Sequence, residues 1–137
     1  MNYKLEEILP HSNGMILIDQ VENFAEDSLN GKVKISRSSK FLNHKNQVPA
    51  WVGIEYMAQT IAAWAGIHAK LVGKPITLGF LLGSRRYHSK VSYFNLDDEL
   101  TIFATRSYQH ENLGVFDCEI LHQDTAIIDA KLSVYQQ

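Results

Sequence analysis

The spacing of apolar residues changes character along this chain. Leu5 to Leu9 fit one short helical turn, ended by Pro10. Met15-Ile16-Leu17-Ile18 predicts the start of a strand that runs on into Val21 to Phe24. Ser28-Leu29-Asn30-Gly31 carries turn chemistry, with Gly31 as the permissive backbone position. Lys32-Val33-Lys34-Ile35-Ser36 then alternates polar and apolar, the pattern of a half-buried strand.

From Ala50 to Leu71 the pattern turns helical. Ala50 to Ile67 is apolar on nearly every side and rich in Ala, which favours helix. Pro49 suits the first helical position, and Gly73-Lys74-Pro75 predicts the stop. A helix apolar all round is expected to be buried all round. Its small residues (Ala58, Ala62, Ala63, Ala65, Gly66) would let it approach a sheet closely. Strand signals return at Ile76 to Leu82, Leu100 to Thr105, Val115 to Leu121 and Ala126 to Tyr135. The last three predict consecutive antiparallel neighbours joined by short loops at 110–114 and 123–124. The expected plan is α+β, a curved antiparallel sheet of about six strands wrapped around one long helix.

Composition adds bounds. A chain of 137 residues with no repeat or linker reads as a single domain, 1–137. Its hydrophobic fraction of 45% is that of a soluble globular chain. A net charge of −2 argues against a nucleic-acid partner, which needs clustered positive charge. One cysteine, Cys118, allows no internal disulfide and suits a reducing compartment. No stretch has the length of a membrane span and no signal peptide is evident, so the expected address is the cytoplasm.

Glu55 is the main chemical candidate. Between Ala50 and Ile67 it is the only ionisable side chain besides the Tyr56 phenol. Carboxylates are rarely buried without a partner. Glu55 is therefore either an acid kept protonated by apolar surroundings and able to give a proton, or a structural acid with a partner elsewhere. Gln59, four residues on, shares its face. It would orient the carboxylate, hydrogen-bond a substrate carbonyl, or serve as a buried structural amide.

The six histidines (His11, His44, His68, His88, His110, His122) include no pair with HxxxH spacing, so no metal site is expected. His11 in the Pro10-His11-Ser12-Asn13-Gly14 turn and His44 before the helix are the two with catalytic potential. On spacing alone each is more often a surface histidine. Arg85-Arg86 is the one strongly basic point, either a fork for phosphate oxygens or a solvated strand end.

Three segments resemble a known family. Leu9-Pro10-His11-Ser12-Asn13-Gly14-Met15-Ile16-Leu17-Ile18-Asp19-Gln20-Val21 is similar to the opening of bacterial 3-hydroxyacyl-[acyl-carrier-protein] dehydratases. Pro49 to Gln59 (PAWVGIEYMAQ) resembles their central-helix motif with the proline-to-glutamate spacing unchanged. That helix start and Gly79 to Tyr87 (GFLLGSRRY) look most like the ApeP-like branch from aryl-polyene pigment clusters.

The resemblance implies a hotdog fold, pairing as a homodimer or heterodimer with acyl tunnels at the interface. It also implies dehydration of a 3-hydroxyacyl thioester brought by an acyl carrier protein, with no cofactor beyond the carrier's phosphopantetheine. Glu55 matches the catalytic glutamate of the helix motif, and Gln59 its glutamine. Amides near Ala50 to Gly53, with Trp51 and Gly53 as substrate-binding candidates, would polarise the thioester carbonyl. Arg85 and Arg86 would meet the carrier's acidic surface and phosphate.

The sequence departs from the family where the dehydratases carry their histidine in a GHFP loop. Here that loop reads Phe41-Leu42-Asn43-His44-Lys45-Asn46-Gln47-Val48, and His44 lies nearer Glu55 in sequence. Either His44 replaces that histidine, or His11 acts, or the dyad is incomplete; the expected place of the LPH turn beside the tunnel puts His11 ahead. An acyl thioesterase and a non-catalytic subunit stabilising a partner dehydratase are the alternative readings.

Overall fold

The computed structural model describes residues 3–11 and 13–137. Ser12 of the predicted turn, and Met1 and Asn2, lie outside the described residues. In chain order the elements are α1 (Leu5–Ile8), a 3₁₀ turn at Asn13–Met15, β1 (Gln20–Glu22), β2 (Ser28–Lys34) and β3 (Gln47–Pro49). There follow a second 3₁₀ turn (Ala50–Val52), α2 (Gly53–Leu71), β4 (Gly79–Ser89), β5 (Tyr93–Asn95), β6 (Glu99–His110), β7 (Leu113–His122) and β8 (Thr125–Gln136).

Six strands form one antiparallel sheet in the order β1-β2-β6-β7-β8-β4, and β3 pairs with β5 separately. The sheet wraps α2, which packs against β2, β6, β7 and β4. This is the α+β hotdog plan expected from the sequence. The core lies between helix and sheet, where Met57, Ile67, Ile102, Phe116, Ile120 and Leu132 are fully buried.

Several predicted boundaries are corrected. Ser28 to Gly31 is not a turn but the first half of β2, in register with β6 from Ser28↔Thr105 to Gly31↔Ile102. Its glycine serves a close approach, because a Cβ at Gly31 would collide with the Thr60 side chain of α2. The true turn lies earlier, where Asn23 has φ 56° and the Ala25 amide donates to the Ser28 carbonyl at 2.9 Å.

The strand expected from Met15 is confined to β1. A side chain takes the place of a neighbouring strand there: the Leu17 amide donates to Gln59 Oε1 at 2.8 Å, and Gln59 Nε2 donates to the Met15 carbonyl at 2.8 Å. The strand expected at Ile76 to Leu82 begins and ends later, as β4. Nearly all of β4 is exposed on both faces, so hydrophobic alternation carries no signal for it. Pro49 precedes the helix with extended geometry instead of occupying its first position.

Gly73, with φ +71°, ends the helical segment as predicted. The helix is not buried all round. Trp51, Ile54, Glu55, Ala58, Ala62 and Ala65 are partly or fully exposed, and their spacing makes one stripe along α2. Of the small residues, Gly66 faces α1 and not the sheet, since a Cβ there would strike the Ile8 backbone.

Candidate functional site

Glu55 sits in the first turn of α2, on the exposed stripe. The sequence expectation of apolar enclosure is therefore not met within this chain. Among the described residues the Glu55 carboxylate has no hydrogen-bond or ion-pair partner. It lines a cavity of about 190 Å³ together with His11, Ala58, Ala62, Phe80 and Leu81. The helix supplies the floor, the turn after α1 brings His11, and the start of β4 supplies the far wall. Two residues 44 positions apart in sequence thus converge on one space. The Nδ1 atom of His11 is buried and has no hydrogen-bond partner among the described residues.

His44 is placed differently. It is exposed in the 43–46 turn, which the Asn43 side chain knits by accepting the Lys45 and Gln47 amides at 2.9 and 3.0 Å. It does not line the cavity that holds Glu55 and His11.

Gln59 is 2% exposed. Its carboxamide is engaged at both ends by the backbone of Met15 and Leu17. The structural alternative of the sequence analysis is thus filled, and Gln59 acts on the cavity by holding the chain that follows His11 onto the helix. It does not line the cavity itself.

Gly53 is buried, and Tyr87, Ile120 and Phe94 pack where its Cβ would be. Its amide turns back onto the Ala50 and Trp51 carbonyls, and the Ala50 amide donates to the Ser92 carbonyl at 3.0 Å. Trp51 is the exposed residue of this turn, at 57%, and meets Phe41 edge-to-face at 5.3 Å between centroids. Arg85 and Arg86 lie on the exposed strand β4, at a bulge where Arg86 has φ 54°, and neither lines the cavity. They are in mid-strand and not at a strand end.

Tyr87 carries a role the sequence did not reveal. Its hydroxyl donates to the Ala50 carbonyl at 2.7 Å and so fixes the turn that starts the helix. Burial, followed by the nearby Tyr56, pushes its ionisation upward. Burial first, then the charge of Asp19, raises the Tyr56 phenol to about 12. Both hydroxyls therefore stay protonated at neutral pH. The RRY pattern marked the arginines, and only the fold shows that the third residue points inward.

A second cavity, about 550 Å³, continues along the same helix past Ala65 and Ala69 and shares Ile61, Val134 and Gln136 with the first. A further concavity, about 980 Å³, is a polar trough lined by Asp19, Lys32, Asp98 and His122, and it contains none of the candidate residues. Among the described residues no group of three His, Cys, Asp or Glu side chains is placed to hold a metal. No helix there is long and apolar enough to cross a membrane.

The sequence matches the family model described as ApeP-like, ApeP dehydratase, over residues 3–137. The fold is similar to a chain of the dehydratase heterocomplex ApeI:P from Xenorhabdus doucetiae, with a TM-score of 0.96 and 33% identity, covering 100% of this chain and 93% of that one. It also resembles a hypothetical thioesterase protein from Streptococcus pneumoniae TIGR4, solved with coenzyme A (TM-score 0.61, 21% identity, 86% of this chain and 87% of that one). The PaaI protein of the E. coli phenylacetic acid degradation operon gives a TM-score of 0.65 at 13% identity, over 84% of this chain and 80% of that one. The last two likenesses are of fold alone. No curated protein sequence matches the chain.

Proposed function

This chain belongs to the ApeP-like dehydratase family, and on that premise we propose that it dehydrates 3-hydroxyacyl-[acyl-carrier-protein] thioesters to trans-2-enoyl thioesters, in aryl-polyene or fatty-acid-like biosynthesis. The observation that carries this reading is the convergence of His11 and Glu55 on one cavity. In the proposed reaction the imidazole of His11 takes the C2 proton, and the Glu55 carboxyl gives a proton to the departing C3 hydroxyl. Water leaves as the C2–C3 double bond forms. General acid–base catalysis needs two such groups at one space, and no redox change is involved. The two cavities that share Ile61, Val134 and Gln136 give an acyl chain a path along the alanine stripe, with Trp64, Ala65 and Phe116 as apolar wall of the second.

The working unit in this proposal is a pair of hotdog subunits. Glu55 is open to solvent in the single chain, whereas a protonated acid needs desolvation. A second subunit laid over Glu55, Ala58 and Ala62, past Trp51, would supply it. The same exposure favours one further reading, in which this chain is a non-catalytic subunit of a mixed dimer and the partner dehydratase does the chemistry.

Incubation with 3-hydroxyacyl carrier protein, alone and with a partner hotdog dehydratase, followed by intact mass measurement, tests these readings. Loss of one water that depends on Glu55 of this chain supports the proposal. Loss of one water that survives Glu55→Gln moves the chemistry to the partner. Loss of the acyl group indicates a thioesterase, and an unchanged mass in both incubations rejects the dehydratase reading.

A further inference from the structure

We infer that the segment 36–47, with Trp51 beside it, is the docking surface for the acidic body of the carrier protein, in place of Arg85 and Arg86. The inference rests on the dehydratase reading for the identity of the carrier. Its evidence is a separate region of the molecule.

The segment Ser36 to Gln47 contains three cations, Arg37, Lys40 and Lys45, and no carboxylate, in a chain whose net charge is −2. All three are exposed, and none forms an ion pair among the described residues. By contrast Lys32, Arg106 and Lys131 are paired with Glu22, Asp27 and Asp117. The nearest acids along the backbone network, Asp97 and Asp98, lie at the foot of the loop beside Ile35. Asp98 is already engaged, accepting the Asn95 amide at 2.8 Å and facing His122 at 3.4 Å.

The loop also carries an apolar anchor. Phe41 is 53% exposed and its ring meets the exposed Trp51. An aromatic pair on a segment whose charged residues are all cations suits a partner surface that is acidic with an apolar centre. The loop is held by its own backbone: the Ser39 amide donates to the Ser36 carbonyl at 3.0 Å, and the Asn43 amide to the Gln47 carbonyl at 2.8 Å. Binding there orders little that is not ordered already.

Position links the surface to the chemistry. Trp51, in the 3₁₀ turn that leads into α2, lies four residues before Glu55, both on the exposed side. A carrier seated on Phe41 and Trp51 thus delivers its thioester arm at the end of the stripe where Glu55 stands. Arg85 and Arg86 belong instead to the free edge strand β4, which suits a neighbouring strand better than a globular acidic partner.

The test is titration of the full chain, alone and with its partner subunit, by holo carrier protein, following the fluorescence of Trp51. The other tryptophan, Trp64, is buried. The expected result is a salt-sensitive affinity that falls about tenfold or more in Arg37→Glu/Lys40→Glu and less than about threefold in Arg85→Glu/Arg86→Glu. The inference is overturned if the order of the two double variants is reversed, if neither changes the affinity, or if binding does not weaken with salt. It is also overturned if the partner subunit alone abolishes access to Trp51. Turnover of 3-hydroxyacyl-pantetheine, which lacks the carrier body, is measured beside it. Loss of that turnover in the wild-type assembly counts against the dehydratase reading, whereas the titration decides the docking surface on its own.

Discussion

The two faces of α2 treat polar groups in opposite ways. On the buried face three polar side chains are engaged: Gln59 at both ends by Met15 and Leu17, Thr60 by donating to the Tyr56 carbonyl at 2.8 Å, and Trp64 by donating to the Glu26 carbonyl at 3.2 Å. On the exposed face Glu55 stands among Trp51, Ala58 and Ala62 without a partner among the described residues. Glu55 and Gln59 are one helical turn apart, yet one is tied into the scaffold and the other is free for chemistry. A buried polar group satisfied by the protein stabilises the fold, whereas an exposed acid beside a cavity keeps its lone pairs for water, a ligand or a second chain.

This contrast can be broken from either side. The largest effect expected is from Glu55→Gln, which should lower turnover of the assembled enzyme by about 10²–10⁴-fold. Its thermal melt should stay where it is, and a shifted melt with unchanged turnover would reverse the roles assigned to the two faces. Gln59→Leu should do the converse. It leaves the Leu17 amide and Met15 carbonyl without their partner, at a cost of about 2–4 kcal/mol in urea unfolding. Turnover per folded molecule should fall far less than in Glu55→Gln.

Gly66→Ala tests the buried face without touching any polar group. Its methyl would press on the Ile8 backbone, so α1 must shift, costing about 1–3 kcal/mol by the same unfolding measurement. The smallest effect is with pH. Burial, then the charge of Asp117, raises the Cys118 thiol from 9.0 to about 12. Because the folded value is raised, as it is for Tyr56, the stabilisation is complete below the unfolded values and is lost as pH rises from about 9 towards 12. Thiol labelling at pH 8 should track global unfolding, and rapid labelling of the native chain would show that Cys118 is not enclosed.

The long helix, its stop at Gly73 and the three final strands were legible because their apolar spacing is regular. The start of the chain was less so. Gly31 reads as a turn from sequence alone, and only the approach of Thr60 explains a glycine inside β2. Met15 to Leu17 reads as a strand because nothing local shows that a distant glutamine takes the ladder's place. For the site, Glu55 was recognisable as a lone acid in an apolar run. Its exposure was not, since an apolar run does not tell which face of the helix the fold leaves open. That His11 and not His44 shares a cavity with Glu55 is a matter of tertiary convergence, which spacing cannot report. Tyr87 gave no signal because its function is to reach the Ala50 carbonyl, 37 residues away.

Strand β4 has a practical consequence. It closes one side of the sheet with Phe80, Leu81 and Leu82 in the open, the last 61% exposed, and no charge from Pro75 through Ser84 to repel a neighbour. Arg85, Arg86 and their bulge guard the later half of the strand, but an uncharged edge like its first half recruits other strands. Produced without a matching subunit, the chain should therefore self-associate as its concentration rises, visible as growing light scattering. Co-production with a suitable companion, or Leu82→Lys, should keep it dispersed.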